Sequence, residues 1–141
     1  MTVTKTMLTG QRILLVEDDF YIAEDMACQL EAGGAKVVGP VASVDAAIGL
    51  IEQKEPLDGA VVDVNLQGVM SWPIADALLR RGVPLVFATG YDRTSIPARY
   101  AGIVCCEKPC NFHMIGGLIR LTERLRLAKM LSTLGARSKK L

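Results

Sequence analysis

The sequence predicts an α/β fold, a doubly wound five-stranded parallel sheet with helices on both faces. Three observations carry this. Short, nearly continuous apolar runs alternate five times with longer stretches of helical character. The runs lack period-two alternation, as expected of strands covered on both sheet faces. The chain has 141 residues, 50% apolar and only 5% aromatic, which suits one core of Val, Ile, Leu and Ala.

The predicted strands are Arg12–Val16, Ala35–Gly39, Gly59–Asp63, Pro84–Thr89 and Gly102–Glu107. Helices fill the gaps. Phe20–Ala32 places Ile22, Ala23, Met26, Ala27 and Leu30 on one face and stops at Gly33-Gly34. Val44–Lys54 follows Ser43, a residue suited to capping, and stops before Pro56. A third helix begins near Ser71, accepts Pro73 in its first turn and ends at Gly82. Ser95–Tyr100 has room for a short fourth. A fifth is expected over Asn111–Leu134, although Gly116-Gly117 inside it weakens helical propensity. One domain is expected over residues 11–134, with an extension at 1–10 and a basic tail at 135–141 that includes Arg137, Lys139 and Lys140.

Composition excludes some functions. A net charge of +1 gives no global field for nucleic acid or an anionic membrane. The opening residues lack the apolar core of a signal peptide, and no apolar run reaches the length of a membrane span. A cytoplasmic location is therefore expected. Cys28, Cys105, Cys106 and Cys110 show no metal or disulfide-framework spacing, so reduced thiols are expected. Cys105 and Cys106, adjacent in a strand, should face opposite sides.

In such sheets the functional crevice lies beyond the carboxyl ends of the strands. The first strand ends in Glu17-Asp18-Asp19, the third in Asp63, the fourth in Thr89, and the fifth leads into Lys108 before Pro109. Carboxylates crowded on one rim raise one another's pKa and call for positive charge. Lys108 supplies one cation, and a hard divalent ion such as Mg2+ suits the rest. That ion lets a phosphoryl group approach an anionic nucleophile, and Asp63 is placed to be that nucleophile. Asp19 is read as a helix cap, Asp58 as a turn residue, His113 as a surface residue and Trp72 as packing at a helix start.

Leu15-Val16-Glu17-Asp18-Asp19, Val62-Asp63-Val64-Asn65, Ala88-Thr89-Gly90 and Glu107-Lys108-Pro109 resemble the signature of response-regulator receivers in two-component signalling. The resemblance implies a flavodoxin-like sheet of order 2-1-3-4-5. It implies Asp63 as phosphoacceptor, Asp18 as direct magnesium ligand, Glu17 acting through water, and Asn65 as the residue whose carbonyl completes the metal site. Thr89 would hold a phosphoryl oxygen and Lys108 would pair with the phosphoryl group. Phe87-Ala88-Thr89-Gly90-Tyr91 resembles a smaller subgroup nicknamed from its Phe-Ala-Thr-Gly run, whose members are often single-domain and work in phosphorelays. The implied function is Mg2+-dependent phosphoryl acceptance, with no enzymatic turnover of external substrates. The implied partners are a histidine kinase or histidine phosphotransfer protein and a protein effector, with a homodimer left open and neither DNA nor membrane expected.

Two departures stand out. Cys105 occupies the position, three before the lysine, where most receivers carry a switching aromatic, and Cys110 stands where many of the subgroup carry an aromatic. The loop from Gly90 to Tyr100 is then the expected moving element, with tyrosines on its surface. The same residues bear on three rival readings. A haloacid-dehalogenase-like phosphatase wants a second Asp where Asn65 stands. A nucleotide binder would not place Glu17-Asp18-Asp19 in its phosphate loop. A degenerate receiver acting as an unphosphorylated interaction module has no need of the whole acid pocket with Thr89 and Lys108.

Overall fold

The computed structural model describes residues 8–90, 96–108, 110, 127 and 130–134. Alternate side chains of the central strands leave to opposite faces, and both faces are covered. From β1 (Arg12–Val16), Leu14 and Val16 join a layer with Val62, Phe87, Ile74 and Leu78. Ile13 and Leu15 join the opposite layer with Val61, Val86, Met26 and Leu30. The first layer seats α2 (Val44–Ile51) and α3 (Trp72–Arg80), and the second seats α1 (Phe20–Ala32). Leu8, ahead of β1, is buried in that second layer. Helices on both faces of the sheet is the arrangement the sequence predicts.

The main sheet adds β2 (Lys36–Val41), β3 (Gly59–Asp63), β6 (Leu85–Thr89) and β7 (Val104–Glu107). Its order is β2-β1-β3-β6-β7, all parallel. Counting its five strands alone, this is the expected 2-1-3-4-5. Registers Val16↔Val62, Asp63↔Ala88 and Thr89↔Glu107 bring the strand ends to one rim.

Several boundaries differ from expectation. β2 runs through Pro40 to Val41 instead of stopping at Gly39, with a register shift opposite Leu14 and Val16. It is an edge strand, where a proline without an N–H is tolerated. Its extra residue has a use, because the Val41 carbonyl accepts the Glu17 N–H at 3.0 Å. α2 ends at Ile51, three residues before the expected Lys54, on the approach to Pro56. The short fourth helix is a 3-10 turn, Ala98–Tyr100. Most of the expected fifth helix, with Gly116-Gly117 and His113, lies outside the described residues, as do Tyr91, Arg137, Lys139 and Lys140; residues 127 and 130–134 are helical.

A second sheet was not expected. β4 (Asn65–Leu66) and β5 (Val69–Met70) form an antiparallel hairpin immediately after Asp63. Gln67 and Gly68 both take positive φ, 53° and 91°, as a primed two-residue turn requires.

Among the described residues no helix is long and apolar enough to cross a membrane. Asp19 caps α1, accepting the Ile22 N–H at 3.0 Å, as expected. Asp58 does more than turn the chain: its carboxylate accepts the Arg12 N–H at 2.8 Å and ties the start of β1 to the approach of β3. Trp72 packs as expected, stacked on Tyr100 at 5.1 Å and edge-on to Phe87 at 5.7 Å. Cys105 packs against the layer holding Phe87 and Tyr100, while Cys106 lies in the opposite one.

Two expectations are corrected. Cys106 and Cys110 are not separate thiols: their sulfurs are paired, with Cα atoms 6.2 Å apart, within the span a disulfide needs. The spacing hid this, because a pair four residues apart resembles no disulfide framework. Tyr100 is not a surface residue. It is 2% exposed, and its hydroxyl donates to Asp76 at 2.7 Å, anchoring the 3-10 turn to α3. Removing that hydroxyl leaves the Asp76 oxygen without this donor. Tyr100→Phe should lower stability by roughly 1–2 kcal/mol, measured by urea denaturation, with the m-value unchanged.

Candidate functional site

β1, β3 and β7 end at one rim of the sheet, with β6 between β3 and β7, and their ends carry the titratable groups. Asp63 closes β3 and is 3% exposed. The backbone N–H of Asn65 donates to its Oδ1 at 3.2 Å, and Lys108 Nζ lies 2.8 Å from its Oδ2. Lys108 follows β7 directly, and its own N–H donates to the Thr89 carbonyl at 3.0 Å, which fixes the start of the side chain. The same ammonium reaches Glu17 Oε1 at 2.6 Å. Glu17 is also 3% exposed, and its Oε2 accepts the Asp19 N–H at 3.1 Å. One cation thus bridges two buried carboxylates from different strands.

Asp18 completes the cluster. Carboxylate oxygens of Glu17, Asp18 and Asp63 lie within 4.8 Å of one another. These groups share an open cleft of about 310 Å³ with Asn65, Gln67, Gly68, Gly90 and Lys108. The hairpin shapes its wall: the Asn65 side chain accepts the Gly68 N–H at 2.6 Å, holding the turn beside Asp63. Glu17, Asp18, Asp63, Asn65 and Lys108, all expected at the site, are therefore brought together. Thr89 stands at the same rim, 1% exposed, but Gly90 takes its place in the cleft wall.

Gln67 and Gly68 line the cleft although no motif reading singled them out. Their signal was a two-residue Gln-Gly turn between Leu66 and Val69, weaker than Asn-Gly and easily absorbed into a loop.

The electrostatics follow from crowding in a partly dry site. Burial raises the Glu17 carboxyl from 4.5 to about 7, with Asp63 adding to the rise and Lys108 opposing it. For Asp18, burial also pushes upward, but hydrogen bonds with Glu17 and Asp63 and the Lys108 charge outweigh it, and its pKa falls. Lys108 is pushed down by burial and up by Asp63 and Glu17, and the carboxylates win. Three carboxylates against one ammonium leave room for two further positive charges. Glu17 Oε1 is buried against the Lys108 ammonium at 2.6 Å. An all-oxygen donor set with this deficit fits magnesium.

The Glu17 shift sets a pH dependence for the metal-free protein. Its folded pKa is raised, so its stabilising contribution is complete below 4.5 and is lost as pH rises through about 7. Thermal unfolding in the presence of a chelator should show Tm falling across that window. Glu17→Gln should flatten the fall, and magnesium should restore Tm at the upper end.

No family model and no curated protein matches the chain. Solved structures do. The solution structure of SdrG from Sphingomonas melonis Fr1 is 34% identical with a TM-score of 0.70, over 82% of this chain and 97% of that one. The BeF3-activated conformation of SdrG from Pseudomonas melonis Fr1 is 31% identical with a TM-score of 0.63, over 94% and 98%. A response regulator receiver protein from Sinorhizobium medicae WSM419 shares the fold at 22% identity and a TM-score of 0.66, over 79% and 96%. With the strand order, the acid cluster and the bridging lysine already in place, the chain belongs to the response-regulator receiver family.

Proposed function

We propose that this receiver accepts a phosphoryl group on Asp63 in a magnesium-dependent reaction and uses it to switch protein contacts. The observation that carries this reading is Lys108 Nζ at 2.8 Å from Asp63 Oδ2 with Glu17 and Asp18 grouped beside it. Asp63 is a carboxylate and needs no general base. One of its oxygens forms a bond to phosphorus as the bond from phosphorus to the donor, a phosphohistidine nitrogen or the acetate of acetyl phosphate, breaks. Lys108 then pairs with the phosphoryl oxygens, and the Asn65 N–H holds the carboxylate in line. Thr89, at the neighbouring strand end, would turn its hydroxyl toward the same group.

Asp18 and Asp63, with the Asn65 carbonyl, would hold magnesium directly, and Glu17 through water. Bound there, the ion neutralises the charge that otherwise keeps a phosphoryl group from the carboxylates. The chemistry stays on the chain itself, formation and later hydrolysis of one acyl phosphate, with no external substrate turned over.

The phosphodonor in this reading is a histidine kinase or phosphotransfer protein, as in a phosphorelay. Phe20 and Tyr21, 70% and 80% exposed and in edge-to-face contact, directly follow the acid cluster and offer such a partner an apolar foothold. With Cys105 where most receivers carry a switching ring, the response starts instead at Thr89 and Gly90 on the rim.

Mass spectrometry after incubation with acetyl phosphate and magnesium should find one added phosphoryl group on Asp63 and none in Asp63→Asn. An unmodified wild type would return the chain to the degenerate-receiver reading. Asp18→Asn should abolish the magnesium dependence and slow acceptance by roughly 10-fold or more. Unchanged magnesium affinity in that variant, titrated calorimetrically, would require a different ligand set.

A further inference from the structure

Cys106 and Cys110 lie at either end of the segment that carries Lys108, and the phosphoryl chemistry uses neither. Their sulfurs are paired, at a sequence separation of four. Both lie against the Glu107 carbonyl, Cys106 Sγ at 3.7 Å and Cys110 Sγ at 3.5 Å, so they meet on one side of that peptide. Cys105 cannot replace Cys106. It leaves the strand on the other face, with its sulfur 3.7 Å from the Ile103 carbonyl. Cys28 is exposed on α1.

A bond closing so short a ring restrains little of the unfolded chain, since loop-closure stabilisation grows with loop length. Its effect must be local. What it encloses is Glu107, Lys108 and Pro109, and Lys108 is the cation bridging Asp63 and Glu17.

We propose that Cys106 and Cys110 form a redox-modification site, oxidised by a peroxide and reduced by a dithiol, that couples thiol state to the seating of Lys108. Cys110 is 6% exposed and Cys106 1%, so the oxidant meets Cys110 first. The Cys110 sulfur attacks one peroxide oxygen. A sulfur–oxygen bond forms, the oxygen–oxygen bond breaks, and the departing hydroxide leaves as water. The Cys106 sulfur then attacks the Cys110 sulfur, the sulfur–sulfur bond forms as the sulfur–oxygen bond breaks, and a second water departs. Two thiol protons and two electrons are given up, and the peroxide is reduced to two waters. Attack by a dithiol reverses the bond through a mixed disulfide. With the sulfurs paired, Lys108 reaches both carboxylates, and in this proposal oxidation holds the ammonium where an incoming phosphoryl group needs it. The coupling, unlike the thiol chemistry, rests on the phosphoacceptor reading.

The full chain, treated with hydrogen peroxide or with dithiothreitol, is alkylated under denaturing conditions and mapped by mass spectrometry. After peroxide, Cys28 and Cys105 should be alkylated while Cys106 and Cys110 are protected and joined; after dithiothreitol, all four cysteines should react. Cys110→Ser should leave every remaining cysteine reactive under both conditions. With acetyl phosphate and magnesium, the oxidised wild type should accept phosphate several-fold faster than the reduced form, and Cys110→Ser should match the reduced rate in both states. Full alkylation after peroxide, or a bond through Cys28 or Cys105, overturns the site. Equal rates with the bond in place overturn the coupling. Absence of phosphorylation in every form counts against the phosphoacceptor reading alone, because the alkylation pattern still decides the thiol chemistry.

Discussion

Lys108 holds two buried carboxylates that would otherwise repel each other, and much of the rim is arranged around that ammonium. A lone charge placed this deep is costly, and each of the three groups is tolerable only because the others are present. Glu17 comes from the end of β1, Asp63 from the end of β3 and Lys108 from the end of β7, so the contact cannot form until the parallel sheet has brought the three ends level. The Thr89 carbonyl and the Val41 carbonyl complete the alignment by fixing the backbones of Lys108 and Glu17. The positive side remains short, since one ammonium faces Glu17, Asp18 and Asp63. That deficit is the charge that the proposed magnesium ion would offset.

On one face of the sheet, Trp72, Phe87 and Tyr100 form a continuous aromatic contact, and Cys105 packs at its border. The small side chain at 105 and the buried ring at 100 are complementary facts. Tyr100 is pinned by Asp76 while Arg99 lies over its ring at 4.6 Å, so the 3-10 turn is tied to α3 by packing, a hydrogen bond and a cation–π contact together. Burial and the Asp76 carboxylate both raise the Tyr100 pKa, keeping its hydroxyl protonated as a donor. A chain lacking a movable aromatic next to its lysine strand has instead a fixed one on the preceding turn.

The sequence by itself determined the sheet, the helices α1 to α3 and which residue types stand at the strand ends. The short apolar runs within Arg12–Val16 and Gly59–Asp63, bounded by turn signals, read as strands covered on both faces, and a carboxylate at the carboxyl end of such a strand sits at the rim. Local patterns of this kind are written in consecutive residues. The hairpin after Asp63, the extension of β2 through Pro40, the burial of Tyr100 and the pairing of Cys106 with Cys110 were decided by the tertiary structure. The hairpin's local signal was a weak one, and the other three depend on what no local spacing names: an edge without a neighbour, a carboxylate on α3, or a second sulfur against the same carbonyl. The same holds for the 2.6 Å and 2.8 Å contacts of Lys108, because residue types predict which charges share a rim, and only the packed registers decide which of them touch.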